Sequence, residues 1–131
     1  MSEQATPLIS IVDDDVSVRE ATEALMRSLG FRAQSFPSAS AFLSSSAIKN
    51  TSCLIADINM PKITGVELYR RLVGSGYAIP TILITAYPDD ETRMRSLADG
   101  VVCYLTKPFD DEVLLGCLRV ALGTAEEEQH D

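Results

Sequence analysis

Polar side chains that could do chemistry follow short apolar runs in this 131-residue chain. Three consecutive aspartates, Asp13–Asp15, follow the first run, Asp57 follows a later one, and Thr85 and Lys107 end two more. Clustered carboxylates repel one another unless a cation joins them, and an all-oxygen site with few protein ligands favours Mg²⁺. A carboxylate beside a metal ion, a lysine and a threonine hydroxyl would suit phosphoryl transfer, with the carboxylate attacking in line to give an aspartyl phosphate.

Each of these residues also has an ordinary structural explanation when it is taken alone. The aspartate run could cap a helix, and Asp57 could be a turn residue. Thr85 could be a β-branched strand residue, and Lys107 a solvated charge. Their joint occurrence at four strand ends is what favours the chemical interpretation.

Five apolar runs alternate with five helical patterns, which predicts a parallel sheet with helices on both faces. Near-continuous apolar character in runs one, four and five predicts strands that are buried on both faces. Because ligands gather at the carboxyl ends of such strands, the polar residues are expected to meet at one rim. The predicted strands are Leu8–Val12, Phe31–Phe36, Cys53–Ala56, Thr81–Thr85 and Val101–Thr106. The predicted helices are Val16–Leu29, Ala39–Leu43 with Ser38 as N-cap, Val66–Leu72, Asp89–Ala98 and Asp111–Leu122.

Composition indicates one acidic globular domain. The chain is 46% hydrophobic and carries 11 Lys+Arg against 19 Asp+Glu, a net charge of −8. This charge disfavours direct binding to nucleic acid or to an anionic membrane. Three cysteines without metal-ligand spacing suggest free thiols in a cytoplasmic protein. We expect an N-terminal tail over 1–7, a domain over 8–123 and an acidic tail over 124–131.

The ordered motifs resemble those of response-regulator receiver domains of two-component signalling, and look closest to the receivers of nitrogen-fixation-type regulators. This resemblance implies an α/β fold, namely a flavodoxin-like (βα)5 doubly wound parallel five-stranded sheet with strand order 2-1-3-4-5. The matching segments are Ile11–Asp14, Ala56–Pro61, Gly65, Ile84–Ala86 and Tyr104–Phe109.

The resemblance also implies a metal site and a phosphoacceptor. Asp57 would accept the phosphoryl group. Mg²⁺ would bind Asp14 and Asp57 directly, Asn59 through its backbone carbonyl and Asp13 through a water molecule.

Further residues would bind the phosphoryl group and carry the signal. Thr85, Ala86 and Lys107 would contact the phosphoryl oxygens, and the peptide bond from Lys107 to Pro108 is expected to be cis. Thr85 would move toward the phosphoryl group, and Tyr104 would swing into the vacated space. The face formed by helix four, strand five and helix five would then change shape.

A receiver of this kind would take its phosphoryl group from a histidine kinase or a phosphotransfer protein. It would signal to a downstream protein target or to an output domain that this chain lacks, and it could form a phosphorylation-dependent homodimer. We expect no direct binding of nucleic acid, no membrane association and no enzymatic activity beyond self-phosphorylation and slow autodephosphorylation. Tyr87, two residues past Thr85, would slow hydrolysis by screening the acyl phosphate from water.

Two other functions compete with this interpretation. A phosphatase resembling the haloacid-dehalogenase class would use Asp13 as its nucleophile, but such enzymes need another acidic pair after a later strand. An adaptor with the receiver fold would bind partners without being phosphorylated. The aspartate that carries phosphate distinguishes the receiver from the phosphatase. Whether the chain is free-standing or the first part of a longer regulator stays open.

Overall fold

The computed structural model describes residues 6–123, with five strands and five helices in strict alternation. The predicted tail over 124–131 and the first five residues of the predicted tail over 1–7 lie outside the described residues. The strands are β1 (Leu8–Val12), β2 (Arg32–Phe36), β3 (Cys53–Asp57), β4 (Thr81–Thr85) and β5 (Cys103–Thr106). The helices are α1 (Val16–Ser28), α2 (Ala39–Leu43), α3 (Gly65–Gly74), α4 (Asp90–Ala98) and α5 (Asp111–Ala121), with a short 3₁₀ helix at Ser46–Lys49.

All strands are parallel and follow the order β2-β1-β3-β4-β5, so the predicted fold and strand order are confirmed. Val12 pairs with Ala56, and Thr85 pairs with Thr106. This register brings the carboxyl ends of β1, β3, β4 and β5 to one rim of the sheet. The residues that follow these four strands therefore emerge side by side.

The sheet is covered on both faces, and each face has its own apolar core. On one face Phe42 of α2 and Leu68 of α3 are fully buried against the strands. On the other face Met26 of α1 and Leu118 of α5 are fully buried. Every residue of β1, β3 and β4 is buried, because these strands have neighbours on both edges and helices on both faces.

The fifth strand differs from the prediction. It begins at Cys103 rather than Val101, and its residues are only half-buried or exposed. It lies at the edge of the sheet, so one of its sides has no neighbouring strand. Gly100 adopts a φ of +114°, which turns the chain before the strand starts.

Side-chain caps determine where several helices begin. The Ser38 hydroxyl accepts a hydrogen bond from the backbone N–H of Ala41, which confirms the predicted cap of α2. Asp89 was predicted inside α4 but is its N-cap, because its carboxylate accepts the backbone N–H of Thr92. The 3₁₀ helix was not predicted from the sequence. It starts where the Ser45 hydroxyl accepts the N–H of Ala47, in a serine run that predicted only a loop.

The three cysteines are free thiols, as predicted. Cys53 and Cys117 are buried and Cys103 is half-buried. Burial raises the pKa of Cys53 to about 12, so its thiol stays protonated and packs as a small apolar group. Among residues 6–123, no helix has the length and apolar composition to cross a membrane.

Gly65 opens α3 in close contact with the end of β3. A Cβ at Gly65 would lie 2.6 Å from the backbone oxygen of Asp57 and 3.1 Å from the Cα of Ile58. Since these are backbone atoms that cannot rotate away, we expect Gly65→Ala to lower the free energy of unfolding by about 1–3 kcal/mol in urea titrations. The matched control is Gly116→Ala in α5, where a Cβ meets no heavy atom within 4 Å. It should stabilise the protein by about 0.5–1 kcal/mol, and equal losses in both variants would contradict the steric explanation.

Candidate functional site

Three carboxylates converge where β1 and β3 end. Asp13 and Asp14 follow β1, and Asp57 is the last residue of β3. One ligand oxygen from each lies within 4.8 Å of the other two. Asp13 and Asp57 are only 4% and 5% exposed, whereas Asp14 is exposed. The rim thus holds two buried negative charges with a third beside them.

Lys107 brings the counter-charge from the end of β5. Its Nζ lies 3.3 Å from Oδ2 of Asp13 and 3.2 Å from Oδ1 of Asp57. The backbone N–H of Lys107 donates to the carbonyl of Thr85 at 2.8 Å, which extends the pairing of β4 and β5 to this residue. The peptide bond between Lys107 and Pro108 is cis.

The charges at this rim do not balance, since three carboxylates lie together and the Lys107 ammonium pairs with only two of them. Burial raises the pKa of Asp57, and the charge of Asp13 raises it further, while Lys107 opposes both effects. Burial lowers the pKa of Lys107, but the two carboxylates outweigh that effect, so its pKa is raised and the ammonium stays charged. The remaining negative charge favours binding of a further cation.

Asp57 differs from Asp13 in how its oxygens are used. Oδ1 of Asp57 is buried and accepts no hydrogen bond, because the Lys107 ammonium is close enough for an ion pair but lies outside hydrogen-bond geometry. Both oxygens of Asp13 are engaged, Oδ1 by the N–H of Asp15 at 2.9 Å and Oδ2 by Lys107. The ion pair with Lys107 replaces only part of the hydration that this buried oxygen has lost, and a metal ion or a covalent bond there would compensate further. The oxygen donors of this rim therefore fit Mg²⁺.

Thr85 reaches the same rim as the last residue of β4 and is 1% exposed. Its hydroxyl donates to the side-chain Oδ1 of Asn59 at 2.7 Å and accepts the backbone N–H of Tyr87 at 2.9 Å. Asn59 and Ala86 are exposed. The sequence motifs assigned only the backbone carbonyl of Asn59 to the site, so its side-chain contact with Thr85 is an addition.

Tyr104 lies on β5, on the side of the sheet that α2 and α3 cover. It is half-buried and packs against the core there. Its hydroxyl accepts the backbone N–H of Asp89, the N-cap of α4, at 3.1 Å. The side chain therefore ties β5 to the start of α4.

One contact near the carboxylates was not anticipated from the sequence. Arg19, on α1, donates from its guanidinium to the backbone carbonyl of Asp13 at 2.8 Å. Asp15 also caps α1, accepting the N–H groups of Ser17 and Val18. These bonds hold the loop after β1 in place. An arginine six residues along the chain carries no local sequence signal for such a contact.

Comparisons with known proteins agree with this geometry. The chain is 39% identical over 124 residues to the response regulator protein TmoT of Ectopseudomonas mendocina, covering 95% of this chain and 56% of that protein. Among solved structures, the response regulator StyR superposes with a TM-score of 0.84 at 37% identity, covering 96% of this chain and 64% of that one. FixJ-N superposes with a TM-score of 0.81 at 30% identity, covering 91% and 95%.

The chain matches only part of the length of its curated relatives. The chain spans about half the length of the curated relatives, 56% in the case of TmoT. Residues 9–119 match the family described as the response regulator receiver domain, and this range covers the five strands apart from Leu8 and most of α5. The chain therefore belongs to the family of response regulator receiver domains.

Proposed function

We propose that residues 8–123 form the phosphoacceptor switch of a two-component phosphorelay, with Asp57 as the acceptor. The observation that carries this proposal is the buried Oδ1 of Asp57, which accepts no hydrogen bond and lies 3.2 Å from the Lys107 ammonium. Each oxygen of Asp13 accepts a hydrogen bond, whereas Oδ1 of Asp57 is held only by its ion pair with Lys107. This difference favours Asp57 over Asp13, and so favours the receiver over the phosphatase.

The carboxylates and Lys107 have different roles in the proposed phosphoryl transfer. Asp14, Asp57 and the backbone carbonyl of Asn59 would hold Mg²⁺, with Asp13 acting through a water molecule. The ion supplies positive charge that neutralises the phosphoryl oxygens. Oδ1 of Asp57 attacks phosphorus, the bond from phosphorus to the donor nitrogen breaks, and the donor imidazole leaves with its electron pair. Lys107 is placed to bind a phosphoryl oxygen, because its ammonium already lies beside Asp57.

The phosphoryl group then changes the contacts of two neighbouring strand ends. The Thr85 hydroxyl turns to a phosphoryl oxygen, and the backbone beside it at Ala86 contributes a further contact. Tyr104 moves into the space that Thr85 leaves, and its bond to the N–H of Asp89 is lost. Because that bond ties β5 to the start of α4, its loss reshapes the face formed by α4, β5 and α5.

The partners follow from this chemistry. A histidine kinase or a phosphotransfer protein supplies the phosphoryl group, and the altered face signals to a protein target, to an output domain or to a second copy of the chain. An output domain is consistent with the greater length of the relatives. The net charge of −8 argues against direct binding of nucleic acid. The protein acts in the cytoplasm, and its own catalysis is limited to self-phosphorylation and slow dephosphorylation.

Incubation with acetyl phosphate and Mg²⁺ should add one phosphoryl group to the protein, as measured by intact mass. The adduct should be absent without metal and absent in Asp57→Ala. Asp13→Asn is the matched control, because it keeps Asp57 and should still form some adduct. Phosphate release that survives in Asp57→Ala would indicate the phosphatase, and absence of both adduct and release, even with a phosphorylated kinase as donor, would indicate the adaptor.

Asp57→Asn should raise the melting temperature without metal by about 3 °C at pH 7, because it removes a buried carboxylate whose pKa is raised by burial and by Asp13. A carboxyl group with a raised pKa binds its proton more tightly in the folded state, so its charge destabilises the fold at pH 7. The gain should shrink as the pH falls through the raised pKa.

Mg²⁺ at ten times its Kd should stabilise the native sequence by about 1.4 kcal/mol and leave Asp57→Asn unchanged. Equal stabilisation of both proteins would refute this metal site.

Tyr87 should slow the loss of phosphate from Asp57. Tyr87 is 74% exposed, while its backbone N–H is bonded to Thr85 at the rim, so its ring has room to fold over the acyl phosphate. Tyr87→Ala should hydrolyse severalfold faster than the native sequence, measured as decay of the phosphorylated mass. Tyr87→Phe keeps the ring and should decay at the native rate. An unchanged rate in Tyr87→Ala would show that the ring does not exclude water.

A further inference from the structure

The Thr85 hydroxyl has a single proton, and in this structure that proton is donated to Asn59. The distance between Thr85 Oγ1 and Asn59 Oδ1 is 2.7 Å, within the range of a good hydrogen bond. The same oxygen accepts the N–H of Tyr87 at 2.9 Å. Thr85 itself is 1% exposed although Asn59 is exposed, so its hydroxyl has little access to water. The hydroxyl is therefore fixed in position, with its only proton donated to Asn59.

This arrangement excludes a second use of the same proton. In the function proposed above, Thr85 donates to a phosphoryl oxygen on Asp57, and a hydroxyl cannot donate to two acceptors at once. The bond to Asn59 therefore exists only in the unphosphorylated arrangement. An interaction that is present in one of two states shifts their equilibrium by its own net free energy.

We propose that the Asn59 side chain is a positioning residue that holds the switch in its resting state by binding the Thr85 hydroxyl. This inference rests on the proposed function and adds a regulatory role for a side chain at that site. The loop after β3 presents Asn59 to Thr85. In that loop the N–H groups of Met60 and Gly65 both donate to the carbonyl of Ile58, at 3.0 and 3.2 Å.

Asn59 has two separate roles in the proposed site. Its side chain binds the switch residue of β4, while its backbone carbonyl belongs to the proposed set of metal ligands two residues after Asp57. The two functions act through different atoms, so they can be separated by substitution. Asn59→Ala removes the side-chain acceptor and leaves the backbone carbonyl in place.

The test measures the affinity for beryllofluoride, a phosphoryl mimic, by calorimetry at saturating Mg²⁺. Asn59→Ala should bind the mimic about fivefold more tightly than the native sequence, because only the resting state loses a hydrogen bond. In a Thr85→Val background the hydroxyl is absent, so the same substitution should leave the affinity unchanged. Asn50→Ala, at an exposed asparagine beyond the 3₁₀ helix, is the matched control and should bind like the native sequence.

The native sequence, Asn59→Ala, Thr85→Val and the double variant form a double-mutant cycle that isolates the contact between the two side chains. Loss of the tightening in the Thr85→Val background supports the proposal. An equal change in both backgrounds, or weaker binding in Asn59→Ala, overturns it while leaving the proposed function intact. If the native sequence bound no beryllofluoride and formed no adduct on Asp57, the proposed function would fail, and this inference with it.

Discussion

The main constraint on this structure is an excess of negative over positive charge at one rim of the sheet. Asp13 and Asp57 are both almost fully buried, and the single ammonium of Lys107 lies within 3.3 Å of each. Two buried carboxylates that share one cation are costly to fold, because each loses its hydration and repels the other. A protein gains nothing from this arrangement in isolation. In the proposed function a divalent ion and a phosphoryl group would complete the site, and the local instability would then favour their binding.

The fold accounts for why these groups meet at all. Parallel pairing aligns the ends of β1, β3, β4 and β5, so residues far apart in the chain, such as Asp13 and Lys107, come within contact distance. Gly65 lets α3 start directly against the carbonyl of Asp57, where any side chain would collide with backbone. The rigid core on both faces then prevents the carboxylates from moving apart to relieve their repulsion.

Most of the architecture could be predicted because it depends on patterns within the sequence. Apolar runs and helical periodicity located β1, β4 and α2 to the residue, and the family motifs supplied the strand order and a set of candidate site residues. The predictions were less accurate where tertiary context decides. β5 starts later than expected because the N–H of Val101 still bonds back to the Ser96 carbonyl at the end of α4, and the contacts of Arg19 with Asp13 and of Asn59 with Thr85 depend on side-chain rotamers across elements. Neither contact leaves a periodic or compositional signal in the sequence.

The energies of the rim suit a switch. Two hydrogen bonds, Thr85 with Asn59 and Tyr104 with the N–H of Asp89, connect groups that the proposed active state would separate. At about 1 kcal/mol each, they would favour the resting state by about 2 kcal/mol, leaving the active state at a few per cent. Reversing such an equilibrium almost completely takes about 5 kcal/mol of differential binding, which is more than a neutral contact can supply. A phosphoryl group on Asp57 would provide it, because its charge would act on the half-buried Lys107 ammonium and the buried Thr85 hydroxyl at short range. In the proposed mechanism, weak bonds that hold the resting state and a strong charge that opposes them would give a switch that is both stable at rest and responsive to a single modification.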